Sequence, residues 1–359
     1  MFEAILPPGS ADIILDVVWI LIKIVLILAP LMLCVAYATY GERKVIAHMQ
    51  VRMGPMRVGF HGLLQPIADG IKLFFKEDVI PAEADKPVFY IAPVIALLAA
   101  MSSMAVLPFF KGFVLADINI GLLYILALSS IGAYGIVLAG WASNSKYSFL
   151  GSLRSSAQVI SYEVAMGLSL VGVMINAESL NLTDIVKSQG SMFWDWNLFP
   201  QIIGAFVFFM AALAETNRTP FDLPEAESEL VAGYFTEYSG FRFSIFFIAE
   251  YMGMFLMGIL WATCFLGGWA GPGDNIHITL PLLGDFYFVS LGWLILKVFA
   301  FIFSYYWIRA TLPRFRYDQL MDFGWKILIP LALLNIVIIA TAKIFVKYHL
   351  IDSLIKVIS

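Results

Sequence analysis

Eight long apolar segments restrict what this chain can fold into. Each has roughly 20 residues or more, the length that an α-helix needs to cross the hydrocarbon core of a bilayer. Hydrophobic residues form 61% of the chain and charged residues 13%, unlike soluble domains. We therefore predict an all-α, polytopic membrane protein with about eight transmembrane helices, treated as a single membrane domain over residues 1–359. The segments lie at 13–41, 88–109, 119–142, 157–178, 199–216, 242–267, 286–309 and 325–346.

Lysine and arginine residues in the loops predict the orientation. When residues at the segment ends are included, the loops after the first, third, fifth and seventh segments hold seven, two, two and three of them. The loops after the second, fourth and sixth segments hold one, one and none. The positive-inside rule places the odd loops in the cytoplasm, so we expect both termini on the outer face.

The first predicted cytoplasmic loop, 42–87, contains a candidate amphipathic helix. In residues 62–77, GLLQPIADGIKLFFKE, four polar side chains recur at spacings of 4, 3 and 4, and apolar residues fill most other positions. This spacing indicates one polar stripe on a helix that is too short to span. The helix could line a functional site or could be an ordinary interfacial helix. The polar residues are Gln65, Asp69, Lys72 and Lys76.

The second notable loop, 217–240, is strongly acidic. From position 215 to 240 the chain carries six acids and a single base, Arg218. Neighbouring carboxylates raise one another's pKa, so such a loop can hold and release protons near neutral pH. The acids are Glu215, Asp222, Glu225, Glu227, Glu229 and Glu237.

Four ionisable residues fall inside or at the end of apolar segments: Glu163, Glu215, Glu250 and Lys297. A charge at the centre of a span costs roughly 2.5–3.5 kcal/mol on insertion scales, so such residues mark pathways by default. We predict that they form a proton relay. The alternative is a buried Glu–Lys pair that fixes helix register.

Other kinds of site have little support in the sequence. The four histidines lack the spacing of metal ligands, and both cysteines, Cys34 and Cys264, lie in apolar segments, so we predict no metal, disulfide or iron–sulfur site. Nucleotide-binding and nucleophile motifs are absent, and no basic cluster suggests nucleic acid. The chain must conduct something or serve a catalytic partner.

Residues 62–77 and 215–233 resemble the two hallmark motifs of the membrane subunit 1 family (also called the H subunit) of proton-pumping NADH:ubiquinone oxidoreductase, respiratory complex I. The resemblance covers about residues 38–346 and all eight segments, whereas 180–199 and 268–287 match little. Further matches are Glu42-Arg43-Lys44, Arg52-Met-Gly-Pro, Gly140-Trp-Ala-Ser-Asn-Ser, 157–163 and 307–321.

The resemblance implies an enzyme subunit that binds no redox cofactor and forms most of a tunnel for ubiquinone or another quinone. By this likeness Asp222, Glu225, Glu227, Glu229 and Glu237 form a redox-coupling loop. The glutamates at 163, 215 and 250 would carry the signal onwards. The residues that would line or support the quinone tunnel are Glu42, Arg43, Arg52, Asp69 and Arg309.

The same resemblance implies the partners and the location. We expect peripheral-arm subunits that carry the quinone head site and the terminal iron–sulfur cluster. We also expect small and antiporter-like subunits within the bacterial inner (plasma) membrane.

Three alternatives remain at this point. The homologous membrane subunit of an energy-converting hydrogenase or related dehydrogenase would look alike without using quinone. A free-standing ion transporter would show inverted repeats and paired broken helices, and the sequence shows neither. A plain membrane anchor would leave the intramembrane glutamates unexplained.

Overall fold

The fold is a bundle of long helices. The computed structural model describes residues 10–222, 232–280 and 284–347, with side chains described outside 10–16, 280 and 284–286. The main helices of this part are α1 (Ser10–Met49), α2 (Gln65–Phe75), α3 (Lys86–Ser103), α4 (Gly121–Ala142), α5 (Lys146–Ala177), α6 (Leu182–Ser188), α7 (Ile202–Glu215), α8 (Gly240–Phe265), α9 (Phe288–Thr311), α10 (Tyr317–Phe323) and α11 (Ile329–Lys347).

Seven stretches of the described chain are helical, long and apolar enough to cross a membrane, which confirms the predicted fold class. The fifth predicted segment, 199–216, differs because its helix α7 has only 14 residues, or about 21 Å. Buried Gln201 precedes α7 and buried Thr216 and Asn217 follow it. Irregular backbone at membrane depth is tolerated where protein covers it, so the segment is a short helix inside the bundle.

Several helices extend beyond the apolar segments that predicted them. Helix α1 continues to Met49, and α5 begins at Lys146, eleven positions before the segment at 157. Helices α10 and α11 are joined through a π-helical turn, Gly324–Leu328, into one helix from Tyr317 to Lys347. Hydropathy marks only the lipid-embedded part of a helix. It therefore misses polar turns that continue the same backbone hydrogen bonding.

Helices α5 and α8 form the centre of the bundle. About half of their most apolar stretch is buried, 56% and 50%, against 11% for α1. Helix α5 packs against α4, α7 and α11, whereas α8 packs against α1, α2, α3 and α9. We call the end at which α1, α4 and α9 end the inner end, and the opposite end the outer end.

The predicted amphipathic helix is present as α2 at the inner end. None of its residues is buried, and Phe74 and Phe75 are strongly exposed. The chain after α2 is tied to the start of α8: the Val79 amide donates to Ser239 Oγ at 3.0 Å, and Arg242 pairs with Asp78 at 2.7 Å.

The outer end carries the segments that matched the family motifs poorly. They contain α6 and a small antiparallel pair of strands, β1 (Ile278–Leu280) and β2 (Gly284–Phe286), with Ile278 opposite Phe286. The side chain of Gln189 donates to the Thr263 and Cys264 carbonyls and accepts from the Asn197 and Gly267 amides. The segment after α6 therefore holds the outer end of α8.

Candidate functional site

A buried group of charged side chains joins four parts of the bundle near the inner end. Glu42 comes from α1, Arg218 from the turn after α7, Glu250 with its neighbour Tyr251 from α8, and Arg309 from α9. We call these five residues the arginine cluster. Its members are separated by up to 267 positions in sequence, so the fold creates the site.

Arg218 is the shared member of this cluster. Its Nη1 lies 3.5 Å from Glu42 Oε1, and its Nε lies 3.4 Å from Glu250 Oε1. Its guanidinium lies 4.3 Å from the ring centre of Tyr251, a favourable cation–π distance. The two carboxylates therefore interact through one cation.

Glu42 is held by further partners. Arg309 donates to Oε1 of Glu42, and the Tyr251 hydroxyl donates to Oε2 at 2.6 Å. The side chains of Glu42 and Arg218 are 6% and 7% exposed. Two carboxylates and two guanidinium groups balance in charge, which is what makes such burial tolerable.

A second group of polar side chains, the serine cluster, is half-buried in the bundle. It consists of Ser129 and Ser130 on α4, Glu163 on α5 and Glu215 at the end of α7. Both serine hydroxyls donate to Glu163 Oε1, that of Ser129 at 3.0 Å. Glu215 lies beside Ser129, and the two glutamates are close enough to interact electrostatically. Within the described chain neither glutamate forms a salt bridge.

A cavity connects the two clusters. It has a volume of about 120 Å³ and is lined by Ser129, Glu215, Thr216 and Glu250, among mostly small apolar residues. A water needs roughly 10–15 Å³ of such space and two to four polar partners. Several waters therefore fit between Glu250 of the arginine cluster and Glu215 of the serine cluster.

The residues predicted for the quinone site separate into three places. Glu42 and Arg309 meet in the arginine cluster. Arg43, the next residue on α1, pairs with Asp69 of α2 at 2.6 Å, with both side chains partly exposed. Arg52 stands apart in the exposed loop before α2, where its Nε donates to Gln50.

The acidic loop is described only at its ends, and Glu225, Glu227 and Glu229 lie outside the described residues. Asp222 is buried and accepts from Arg314 at 3.1 Å. Glu237 is half-buried. Next to it, burial raises the pKa of Tyr238 well above its usual value, and its hydroxyl donates to the Phe89 carbonyl.

Lys297 lies apart from the three membrane glutamates. Its ammonium group donates to the carbonyls of Leu266, Gly268 and Ala270 at 2.6–2.8 Å, and it lies 4.3 Å from the Trp196 ring centre. Backbone carbonyls at the outer end of α8 therefore accept all three N–H donors of the Lys297 ammonium group. Its predicted part in a proton relay stays a prediction.

Sequence reasoning left four of these residues out of the candidate site: Arg218, Tyr251, Ser129 and Ser130. Arg218 carried a usable signal, because it is the single base among six acids between 215 and 240. Serines and tyrosines are common in apolar helices, so the other three carried none. Within the described residues no group of three or more His, Cys, Asp or Glu side chains could hold a metal ion.

Comparison with known proteins gives consistent matches over most of the chain. A family model described as NADH dehydrogenase matches residues 22–340. The H subunit of NADH-quinone oxidoreductase from Rickettsia typhi (strain ATCC VR-144 / Wilmington) is 53% identical over 328 residues, covering 91% of this chain and 94% of that protein. The protein of the same name from Rickettsia bellii (strain OSU 85-389) is 52% identical over 335 residues, with coverage of 93% and 96%.

Proposed function

This chain belongs to the family of the H subunit of NADH-quinone oxidoreductase, and we propose that it is the quinone-tunnel and proton-coupling membrane subunit of a proton-pumping NADH:quinone oxidoreductase. Family membership confirms the resemblance in the two motifs, and it favours this function over the hydrogenase alternative. The seven long apolar helices agree with a multi-pass membrane protein.

The observation that carries the proposal is the position of Arg218 between Glu42 and Glu250. Reduction of a quinone adds negative charge, which must be met by proton uptake or by movement of charged groups. A guanidinium shared by two carboxylates can strengthen its bond to one of them as it weakens its bond to the other. A change of charge near Glu42 thereby alters the electrostatic interaction between Arg218 and Glu250, which lines the cavity.

The proton path then runs from Glu250 across the cavity to Glu215 and through the Ser129 and Ser130 hydroxyls to Glu163. Hydroxyl groups both donate and accept hydrogen bonds, so they can pass a proton between carboxylates. The path leads from the arginine cluster at the inner end to the middle of α5. We infer that it hands the signal to antiporter-like and small membrane subunits next to this chain.

The quinone would enter from the membrane beside α1, α2 and α8. The pair Arg43–Asp69 holds α2 against α1, and the exposed apolar side chains of α2 suit contact with a long isoprenoid tail. The chain would take quinone as its substrate and would bind no redox cofactor itself. Electrons would come from peripheral-arm subunits with the quinone head site and the terminal iron–sulfur cluster.

Those peripheral-arm subunits would dock at the inner end, against the acidic loop 217–240. The inner end is then cytoplasmic, as the loop charges predict, and the membrane is the bacterial inner membrane.

The test replaces Arg218 by Gln in the assembled complex. We expect NADH-driven quinone reduction to fall at least about tenfold, equal to about 1.4 kcal/mol of barrier, while NADH oxidation by a soluble artificial acceptor is unchanged. Arg316→Gln is the matched control, because that arginine is exposed and pairs with exposed Asp318. Normal quinone reduction by assembled Arg218→Gln complex would contradict the proposal.

A second variant, Arg218→Lys, tests the same proposal in case the Arg218→Gln complex does not assemble. Arg218→Lys keeps the charge but cannot contact two carboxylates through a planar fork. Quinone reduction by an assembled Arg218→Lys complex should lie between the wild-type and Gln values.

A further inference from the structure

A long apolar groove lies on the lipid side of the bundle, and its inner end adjoins the arginine cluster through Gly41 and Tyr306. It runs between α1, α8 and α9 and has a volume of about 580 Å³. Its lining extends from Leu26 to Gly41 on α1 and from Leu291 to Tyr306 on α9. Each stretch is about 22 Å long, so the groove follows most of the hydrocarbon thickness of roughly 30 Å.

The inner end of the groove has no charged side chain in its lining, which here consists of Tyr37, Ala38, Gly41 and Tyr306. Tyr306 lies there, and its hydroxyl already donates to the Ala38 carbonyl at 3.0 Å. The ring of the same tyrosine faces Gly41, where an added Cβ would lie 3.8 Å from it. The groove therefore offers no charged partner for a lipid headgroup at this end.

The outer end of the groove meets a polar cavity. The rings of Phe110 and Phe113 stack at 4.6 Å and line both the groove and a second cavity of about 500 Å³. This second cavity holds two basic and two acidic side chains: Lys111, Lys187, Asp117 and Asp274.

Three of these four charged side chains are exposed, and Asp274 is half-buried. Lys111 donates to Asn275 at 2.8 Å and lies over the Tyr287 ring at 5.4 Å. Lysines beside carboxylates suit a ligand that carries both a negative and a positive group.

We propose that the groove and the polar cavity together bind one zwitterionic phospholipid of the phosphatidylethanolamine class. One acyl chain lies in the groove, the phosphate lies near Lys111 and Lys187, and the ammonium group lies near Asp117 and Asp274. The lipid fills the space beside α1, the most exposed long helix, and so holds α1 and its Glu42 against α8 and α9.

Cys34 lines the groove and reports its occupancy. In the assembled complex, the rate at which N-ethylmaleimide modifies Cys34 is followed by mass spectrometry of this chain. The other cysteine, Cys264, is fully buried. The rate is measured before delipidation, after it, and after addition of phosphatidylethanolamine, phosphatidylglycerol or ubiquinone in detergent.

We expect delipidation to speed the modification of Cys34 and phosphatidylethanolamine to slow it again. At a lipid concentration about ten times its Kd, mass action leaves about one site in ten open, so the rate falls about tenfold. Three results would overturn the proposal: no protection by phosphatidylethanolamine, equal protection by phosphatidylglycerol, or protection by ubiquinone alone.

The headgroup site is tested separately with Lys111→Glu combined with Lys187→Glu. Both lysines are exposed, so the variant is expected to fold. The phosphatidylethanolamine concentration needed for half protection should rise roughly tenfold, the effect of about 1.4 kcal/mol. Lys146→Glu, an exposed lysine at the inner end, is the control and should not change it. Equal values for the two variants would overturn the headgroup assignment.

Discussion

The arginine cluster and the serine cluster surround their carboxylates with different kinds of partner. In the first, Glu42 and Glu250 share Arg218, and Arg309 adds a second base. In the second, the Ser129 and Ser130 hydroxyls donate to Glu163, and Glu215 lies beside them. Ionised pairs suit the first cluster, whereas two neighbouring carboxylates without a base cannot both be charged cheaply inside the bundle.

This difference divides the work between the clusters. A charge-balanced cluster responds to an added charge by rearranging its ion pairs. A pair of carboxylates without a base responds by taking up or losing a proton. Under the proposed function, the first cluster would sense quinone reduction and the second would transfer protons, and the cavity lies between them.

The largest effect is expected for Glu42→Gln. This change leaves the guanidinium groups of Arg218 and Arg309 beside a neutral amide, and breaking a buried ion pair costs about 3–5 kcal/mol. We expect much less intact complex after mild-detergent extraction, measured as the yield of this chain in the assembled enzyme. A normal yield would mean that the arginine cluster is not charge-balanced as described.

Glu163→Gln should weaken proton pumping without lowering the stability of the complex. Because Glu163 and Glu215 have no base beside them in the described part of the chain, at least one of the two is expected to be neutral. An amide at position 163 should then change the free energy of unfolding by no more than about 1 kcal/mol. We therefore expect normal assembly and fewer protons moved per electron, measured in vesicles.

The control for this variant is Glu178→Gln at the outer end of the same helix. A hydrogen bond from Lys343 lowers the pKa of Glu178, so that group stays ionised and exposed. Its replacement should leave pumping unchanged, and equal pumping in both variants would contradict the role of the serine cluster.

Tyr251→Phe tests the charge on Glu42 with a smaller change. The ring that lies over Arg218 remains, but the hydrogen bond to the carboxylate is lost. Bonds to charged groups contribute about 1.5–3 kcal/mol, against about 0.5–1.5 for neutral pairs. Tyr306→Phe, which loses a bond to the neutral Ala38 carbonyl, is therefore the matched control. Thermal denaturation of the complex should show the larger loss for Tyr251→Phe.

The smallest effect is expected for Ser129→Ala combined with Ser130→Ala. Waters in the adjoining cavity can replace the hydroxyls in part, so coupled turnover should slow without being abolished. Ser129→Thr combined with Ser130→Thr keeps both hydroxyls and should restore the rate of coupled turnover. Failure of Thr to restore it would show that the serines matter for packing and not for proton transfer.

Hydropathy and charge placement predicted most of the fold, because each spanning helix must be apolar over its own length. They could not predict that α7 is too short to span by itself. That helix is stabilised by neighbours that cover its ends, and those neighbours are remote in sequence. Hydropathy also could not predict that α5 begins at Lys146, since the polar first turns of this helix pack against protein.

The site was predictable one residue at a time but not as an arrangement. Glu163, Glu215 and Glu250 stood out because acids are rare in or at the end of apolar segments, and the family resemblance added Glu42. Their partners could not be assigned, because Arg218 lies 176 positions from Glu42 and serine is ordinary in such helices. The motif resemblance named the right family. It did not reveal that one arginine joins two of the glutamates.

The most direct test of this division is redox-induced infrared difference spectroscopy of the complete complex, in the carbonyl region of protonated carboxylic acids. We expect a quinone-linked band that is lost in Glu163→Gln or Glu215→Gln and keeps its position in Glu250→Gln. A band that disappears in Glu250→Gln and persists in both serine-cluster variants would contradict the division of work between the two clusters.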